Sequence, residues 1–155
     1  MNGKIFKSVA AAAACATIFT SCDFISYYER IDTAIEMSEA VKELYTEGTI
    51  DIGDCIDSKN VSNYCNESDM LYQHLNSDKE FGKYTLAMID IDKVLVCTDI
   101  VFHSVEGFIV NLGTEPLAET EYTVPESLGY DNNTITLLKI DQYENVLTYR
   151  ATVWF

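Results

Sequence analysis

From Phe24 to Gly48 the chain reads FISYYERIDTAIEMSEAVKELYTEG, and no other stretch holds a single period for so long. Apolar or small residues at Phe24, Tyr27, Tyr28, Ile31, Ala34, Ile35, Ser38, Val41, Leu44 and Tyr45 keep to one side of a 3.6-residue turn. Glu29, Asp32, Glu36, Glu39, Glu43 and Glu47 fall on or beside the other side. This spacing predicts an amphipathic helix, closed by Gly48 in the left-handed conformation. A helix with one oily stripe has to be covered by the rest of its domain. Because the later two-thirds of the chain is β-patterned, the expected fold class is α+β: a long N-terminal amphipathic helix packed on an antiparallel meander.

The β pattern starts at Tyr84, where Ala87, Ile89 and Ile91 alternate with Met88, Asp90 and Asp92. Val94 to His103 is apolar on both faces, as a central strand would be. A turn is expected at Ser104-Val105-Glu106, followed by a strand from Gly107 to Leu112. Both prolines, Pro116 and Pro125, lie in a long connection from Gly113 to Asn133 that leaves room for one edge segment, EYTV. The chain then closes in a hairpin, TITLLKI and VLTYRATVWF around DQYEN. In its second strand Leu147, Tyr149, Ala151, Val153 and Phe155 alternate with Thr148, Arg150, Thr152 and Trp154. Between helix and sheet, Asp51 to Asp69 reads as an acidic loop, and Leu71, Tyr72 and Leu75 as a short helical turn.

Ahead of the helix stand Lys4 and Lys7, an apolar alanine-rich run from Ser8 to Phe19, and the small polar group Thr20-Ser21-Cys22. These are the three parts of an export signal, and the run is well short of the roughly 18 to 20 residues that span a bilayer. Residues 1–21 are expected to be removed, leaving residues 22–155 as one exported α+β domain. The removed part takes two lysines and no acid, so eight basic side chains remain against 25 acidic ones, a formal charge of −17. Such a surface repels nucleic acid, which is excluded as a partner.

Phe19-Thr20-Ser21-Cys22 resembles the lipobox of bacterial lipoproteins. The resemblance implies that Cys22 is lipidated and heads the mature chain, which then sits in the cell envelope with the membrane as one partner through its N-terminal lipid. Export also changes the meaning of the other cysteines, since an oxidising compartment favours disulfides. Cys55 and Cys65, close together in the acidic loop, form the natural pair, and Cys97 in VLVCTDIVF reads as a buried thiol. If Cys22 is not lipidated it needs a partner, and Cys97 becomes a rival.

No spacing suggests a nucleophile with its base, and no glycine-rich phosphate cradle occurs. His74 and His103 stand in unrelated contexts. Asp51, Asp54 and Asp57 could offer oxygens to Ca²⁺ together with Asn60 or Asn63, but they lack the spacing of the recognised calcium loop, and a solvated acidic loop is the expected reading. No metal, cofactor or catalytic residue is assigned.

The order of elements is also similar to that of type IV pilins and pseudopilins. ISYYERIDTAIEMSEAVKELYTEG resembles the second half of a pilin helix, and NTITLLKIDQYENVLTYRATVWF the late pilin hairpin. The resemblance implies a pilin-like roll. It lacks the prepilin cleavage site, the hydrophobic first half of the helix and its early acid, so it implies no polymerising role. The combined expectation is a non-catalytic envelope lipoprotein that binds or assembles with another envelope protein through the Cys55 to Cys65 loop and the Gly113 to Asn133 connection. The alternatives are a minor pilin-like subunit of a pilus or secretion system, and an envelope enzyme or enzyme inhibitor with its site in those loops.

Overall fold

A computed structural model of the chain describes residues 21–77, 84–101, 103–117, 122–129, 134–143 and 146–154. Residues 1–20, which carry the expected export signal up to Thr20, and Phe155 lie outside the described residues, as do Glu121 and parts of the long connection and of the DQYEN turn.

Helix α1 runs from Ser21 to Thr46. Ile31, Ala34, Ser38 and Val41 are buried along the expected stripe, and so is Met37, which the stripe had omitted. The helix ends as the sequence predicts. Gly48 takes φ 80°, its N–H donates to Tyr45 O at 3.0 Å, and Thr49 N–H donates to Leu44 O at 2.9 Å. That paired closure satisfies carbonyls that the last turn would otherwise leave open. A second short helix, α2 (Met70–Leu75), packs Leu71 and Leu75 into the same core.

Seven antiparallel strands form one sheet: β1 (Cys55–Ile56), β2 (Thr85–Asp90), β3 (Lys93–Val101), β4 (Ser104–Asn111), β5 (Tyr122–Thr123), β6 (Thr134–Tyr143) and β7 (Val146–Trp154). Their spatial order is β1-β2-β3-β4-β7-β6-β5, so the sheet is two meanders joined where β7 pairs with β4. The α+β class stands, and β7 lies paired on both sides. The edge segment within EYTV is β5, which pairs Tyr122 with Ile135 and Thr123 with Thr134.

Strand alternation sends side chains to two separate cores. Leu86, Met88, Val94, Val96, Phe108 and Val110 pack with Ile31, Ala34, Met37 and Val41 on the helix side. Ala87, Leu95, Cys97, Val105, Ile109, Ile135, Tyr149, Ala151 and Val153 face the other way, where Leu117 and Val124 from the long connection join them. Leu117 N–H donates to the Tyr149 hydroxyl at 2.7 Å, which fastens that connection to the sheet. The segment read as a free recognition loop is therefore partly a structural cover for the second face.

Two local readings are corrected. The β3–β4 turn comes earlier than expected: β3 ends at Val101, His103 sits in the turn at φ 62°, and Ser104 already begins β4. Hydropathy alone could not show this, because the polar Ser104 and Glu106 read as turn residues although both already stand in β4. The β2 pattern of one wet face also fails, since Leu86 and Met88 are as buried as Ala87. Asp90 and Asp92 remain well exposed, and there they pair with Lys93 and with Lys42 of α1, the second pair tying the helix to the β2–β3 turn. The Lys93 ammonium, aided by the Ile91 N–H, holds the Asp90 carboxyl below the usual carboxylate range.

The Cys55 to Cys65 bridge is not formed. Both are free thiols, and alternation explains why. In β1 the neighbouring Ile56 enters the helix-side core, so Cys55 points to the opposite face. Cys65 packs on the helix side, its thiol near Val61 O at 3.6 Å. Nearness in sequence brought the two cysteines to opposite sides of a sheet edge.

A cleft between the acidic loop and the proline-containing connection

The acidic loop is braced by its own side chains. Asp57 accepts from the N–H groups of Lys59 and Asn60 at 2.8 and 3.2 Å, while Asn60 accepts from Asp57 N–H at 2.8 Å and donates to Cys55 O at 2.9 Å. Asp54 accepts from Asp51 N–H at 2.8 Å. These are the local turns that Asp and Asn make with nearby backbone. Of the carboxylates weighed as calcium ligands, Asp54 and Asp57 thus help to shape the loop. Among the described residues, no group of three or more His, Cys, Asp or Glu is placed to hold a metal ion.

Opposite this loop, Pro125 leads into a single 3-10 turn, Glu126–Leu128, which Gly129 ends at φ 75°. The turn sets Ser127 against the loop. Its hydroxyl donates to Gly53 O and lies 3.1 Å from the Cys55 sulfur. A hydroxyl has one proton, already given to Gly53, so the Cys55 thiol is the donor to Ser127. Burial raises the Cys55 pKa, and the acids Asp57 and Asp54 push in the same direction against the Ser127 hydrogen bond. The thiol is held protonated, the reverse of what an attacking sulfur needs.

Between these walls opens a cavity of 340 Å³. Its floor includes Thr85, Cys97 and Val105; its rim carries Asp57, Ser58, Lys59, Asp99, Ile100 and Leu128. Cys97 is buried as the sequence suggests, and that burial drives its pKa up to about 12. At the helix-side end Tyr84 is also buried, and its pKa rises to about 12 for the same reason, despite the nearby Arg30 guanidinium. Arg30 bonds Asp99 at 2.8 Å, so one wall of the cavity is pinned to α1.

Neither histidine borders this cavity. His74 Nε2 lies 3.5 Å from Glu36 where α2 meets α1, and His103 is in the β3–β4 turn. Cys22 falls in the first turn of α1 and is not among the residues that line the cavity. The two segments nominated from sequence are brought together, but the residues that join them, Ser127 and Gly53, carried no signal of it. Their contact spans 74 positions and depends on the connection crossing the sheet face.

Comparison with known proteins finds no family model, no curated protein and no solved structure that matches the chain. No described helix is long and apolar enough to cross a membrane.

Proposed function

We propose that the protein is a lipid-anchored component of a bacterial cell envelope that works by binding another envelope protein, without catalysis. The observation that carries this reading is the meeting of the acidic loop and the proline-containing connection at Ser127, which turns two separate segments into the walls of one cleft. Rigid, polar-rimmed concavities of this kind suit an inserted side chain or a turn of a partner. Lys59 between Asp57 and Asp99 gives the rim both charges, so the contact is selective by pairing and not by bulk charge. The two thiols beside the cleft are kept in their neutral forms by burial, which favours a binding role over covalent chemistry. The FTSC sequence, with Cys22 as the acylated residue, supports the anchor.

A photo-reactive residue placed at Lys59 and, separately, at Leu128 tests the cleft in living cells. The two positions face one cavity from opposite walls, so both should trap the same protein, while the same probe at Glu47 beyond the end of α1 should not. Unrelated products from Lys59 and Leu128 would end the proposal. Metabolic labelling with a fatty acid tests the anchor independently, since Cys22→Ala should abolish labelling and equal labelling would refute it.

A further inference from the structure

The exposed large apolar residues are not scattered evenly. Val101 and Trp154, 52% and 56% exposed, flank Ser104 in one row across β3, β4 and β7. Ladder partners share a face, so the two side chains stand on the helix side of the sheet. Ile100, 76% exposed, pairs with Val105 and so stands on the opposite face, at the rim of the cleft.

The direction of α1 fixes which end of the molecule this corner occupies. Lys42 reaches Asp92 in the β2–β3 turn, so the C-terminal part of the helix lies over that end. Tyr27 stacks edge-on against Phe108 at 5.9 Å and lies under the Arg150 guanidinium at 4.9 Å, and Arg30 bonds Asp99. The helix start therefore points toward higher numbers in β3 and β7 and lower numbers in β4. Cys22 is five residues before Tyr27, about 7 Å at the helical rise. Trp154 is four residues beyond Arg150, about 13 Å along the strand, and Val101 two beyond Asp99, about 7 Å. The helix start and the apolar corner reach the same end of the fold.

We infer that the Val101 and Trp154 corner rests on the lipid surface and holds that end of the domain against the membrane. This rests on the anchored reading above. The occupant is lipid because the acylated Cys22 of the anchored reading heads the same end of the fold, and Trp favours the membrane–water interface while Val suits the apolar layer beneath it. An apolar corner beside the attachment point is what such a chain needs to lie down instead of swinging on its tether.

Trp154 is the only tryptophan, so its fluorescence reports this corner alone. The full chain, purified from bacterial membranes and reconstituted into phosphatidylcholine vesicles, should show blue-shifted Trp154 emission. Lipids brominated near the headgroup should quench it strongly, and lipids brominated deep in the chain should not. Val101→Lys should weaken the quenching, while Ile91→Lys, an equally exposed position in the opposite turn, should leave it unchanged. Protein that floats with the vesicles but emits as a solvated tryptophan, unquenched, overturns the inference and leaves the anchor standing. Protein that does not float refutes the anchor. In that case Cys22→Ala protein held to nickel-chelating vesicles by an N-terminal histidine tag decides the corner separately: quenching there supports the lipid contact, and its absence overturns it.

Discussion

Gly107 sits where β3 and β4 approach most tightly, and replacing it by alanine tests the strand register directly. A methyl group built on Gly107 would lie 2.1 Å from Val96 O and 2.9 Å from the Cα of Cys97, both main-chain atoms that cannot turn aside. Carbon and carbonyl oxygen approach no closer than about 3.3 Å in ordinary contacts, so the strands would have to part by about 1 Å. Gly107 itself pairs with Cys97, and the flanking pairs are Val96 with Phe108 and, across the bulge between Cys97 and Asp99, Asp99 with Glu106. Opening there forfeits one or two ladder hydrogen bonds at a net 1 kcal/mol or so each. It also disturbs the packing of Phe108 on the helix side and Ile109 on the other, about 1–3 kcal/mol more. The expected loss is about 3 kcal/mol, a large fraction of the roughly 5–15 kcal/mol that holds a domain together. Equilibrium urea unfolding followed by far-UV circular dichroism measures it. Gly113→Ala is the control, because its methyl would meet the movable side chains of Asp92 and Asn111 at 3.1 and 3.2 Å, and it should cost no more than about 1 kcal/mol. A Gly107→Ala midpoint indistinguishable from wild type would refute this β3–β4 pairing.

Two further outcomes follow from the buried titrating groups. Tyr84 and Cys97 each have a folded pKa of about 12, above ordinary values of 10.0 and 9.0, so the stability they lend is complete below about pH 9 and is lost as pH rises toward 12. Tyr84→Phe should flatten the fall in urea midpoint between pH 10 and 12, and an unchanged slope would show that the hydroxyl is not desolvated. At pH 8 the thiolate fraction of Cys97 should be about a thousandfold below that of an unperturbed thiol. Alkylation of native, unreduced protein followed by peptide mass spectrometry should then label Cys65 and Cys55 while sparing Cys97. A joined Cys55–Cys65 peptide pair would contradict the opposed faces described for them.

How much of this was legible in the sequence depends on the range of the interaction. The helix, its Gly48 closure and the last hairpin rest on spacing within one turn or one strand, and they were readable. The β3–β4 turn was misplaced because Ser104 and Glu106 look like turn residues, although Ser104 already pairs with Val101 as the first residue of β4. The disulfide reading failed for a similar reason: it treated Asp51 to Asp69 as featureless loop, while Cys55–Ile56 is a strand whose alternation sends Cys55 away from Cys65. Met37 was left out of the stripe although it is central to the helix–sheet core. The cleft was half readable. Both walls were named as surfaces, but the closure through Ser127 depends on Leu117 and Val124 packing under the second face, a contact that no local pattern encodes.

The account depends most on α1 lying across the sheet with Ile31, Ala34, Met37 and Val41 in its core. Native-state hydrogen exchange on the amides of residues 31–44 measures this, since a packed helix opens only when the sheet does. Protection equal to that of Val94–Val96 and Phe108–Val110 is the predicted result. Helix amides exchanging freely while those strands stay protected would contradict it.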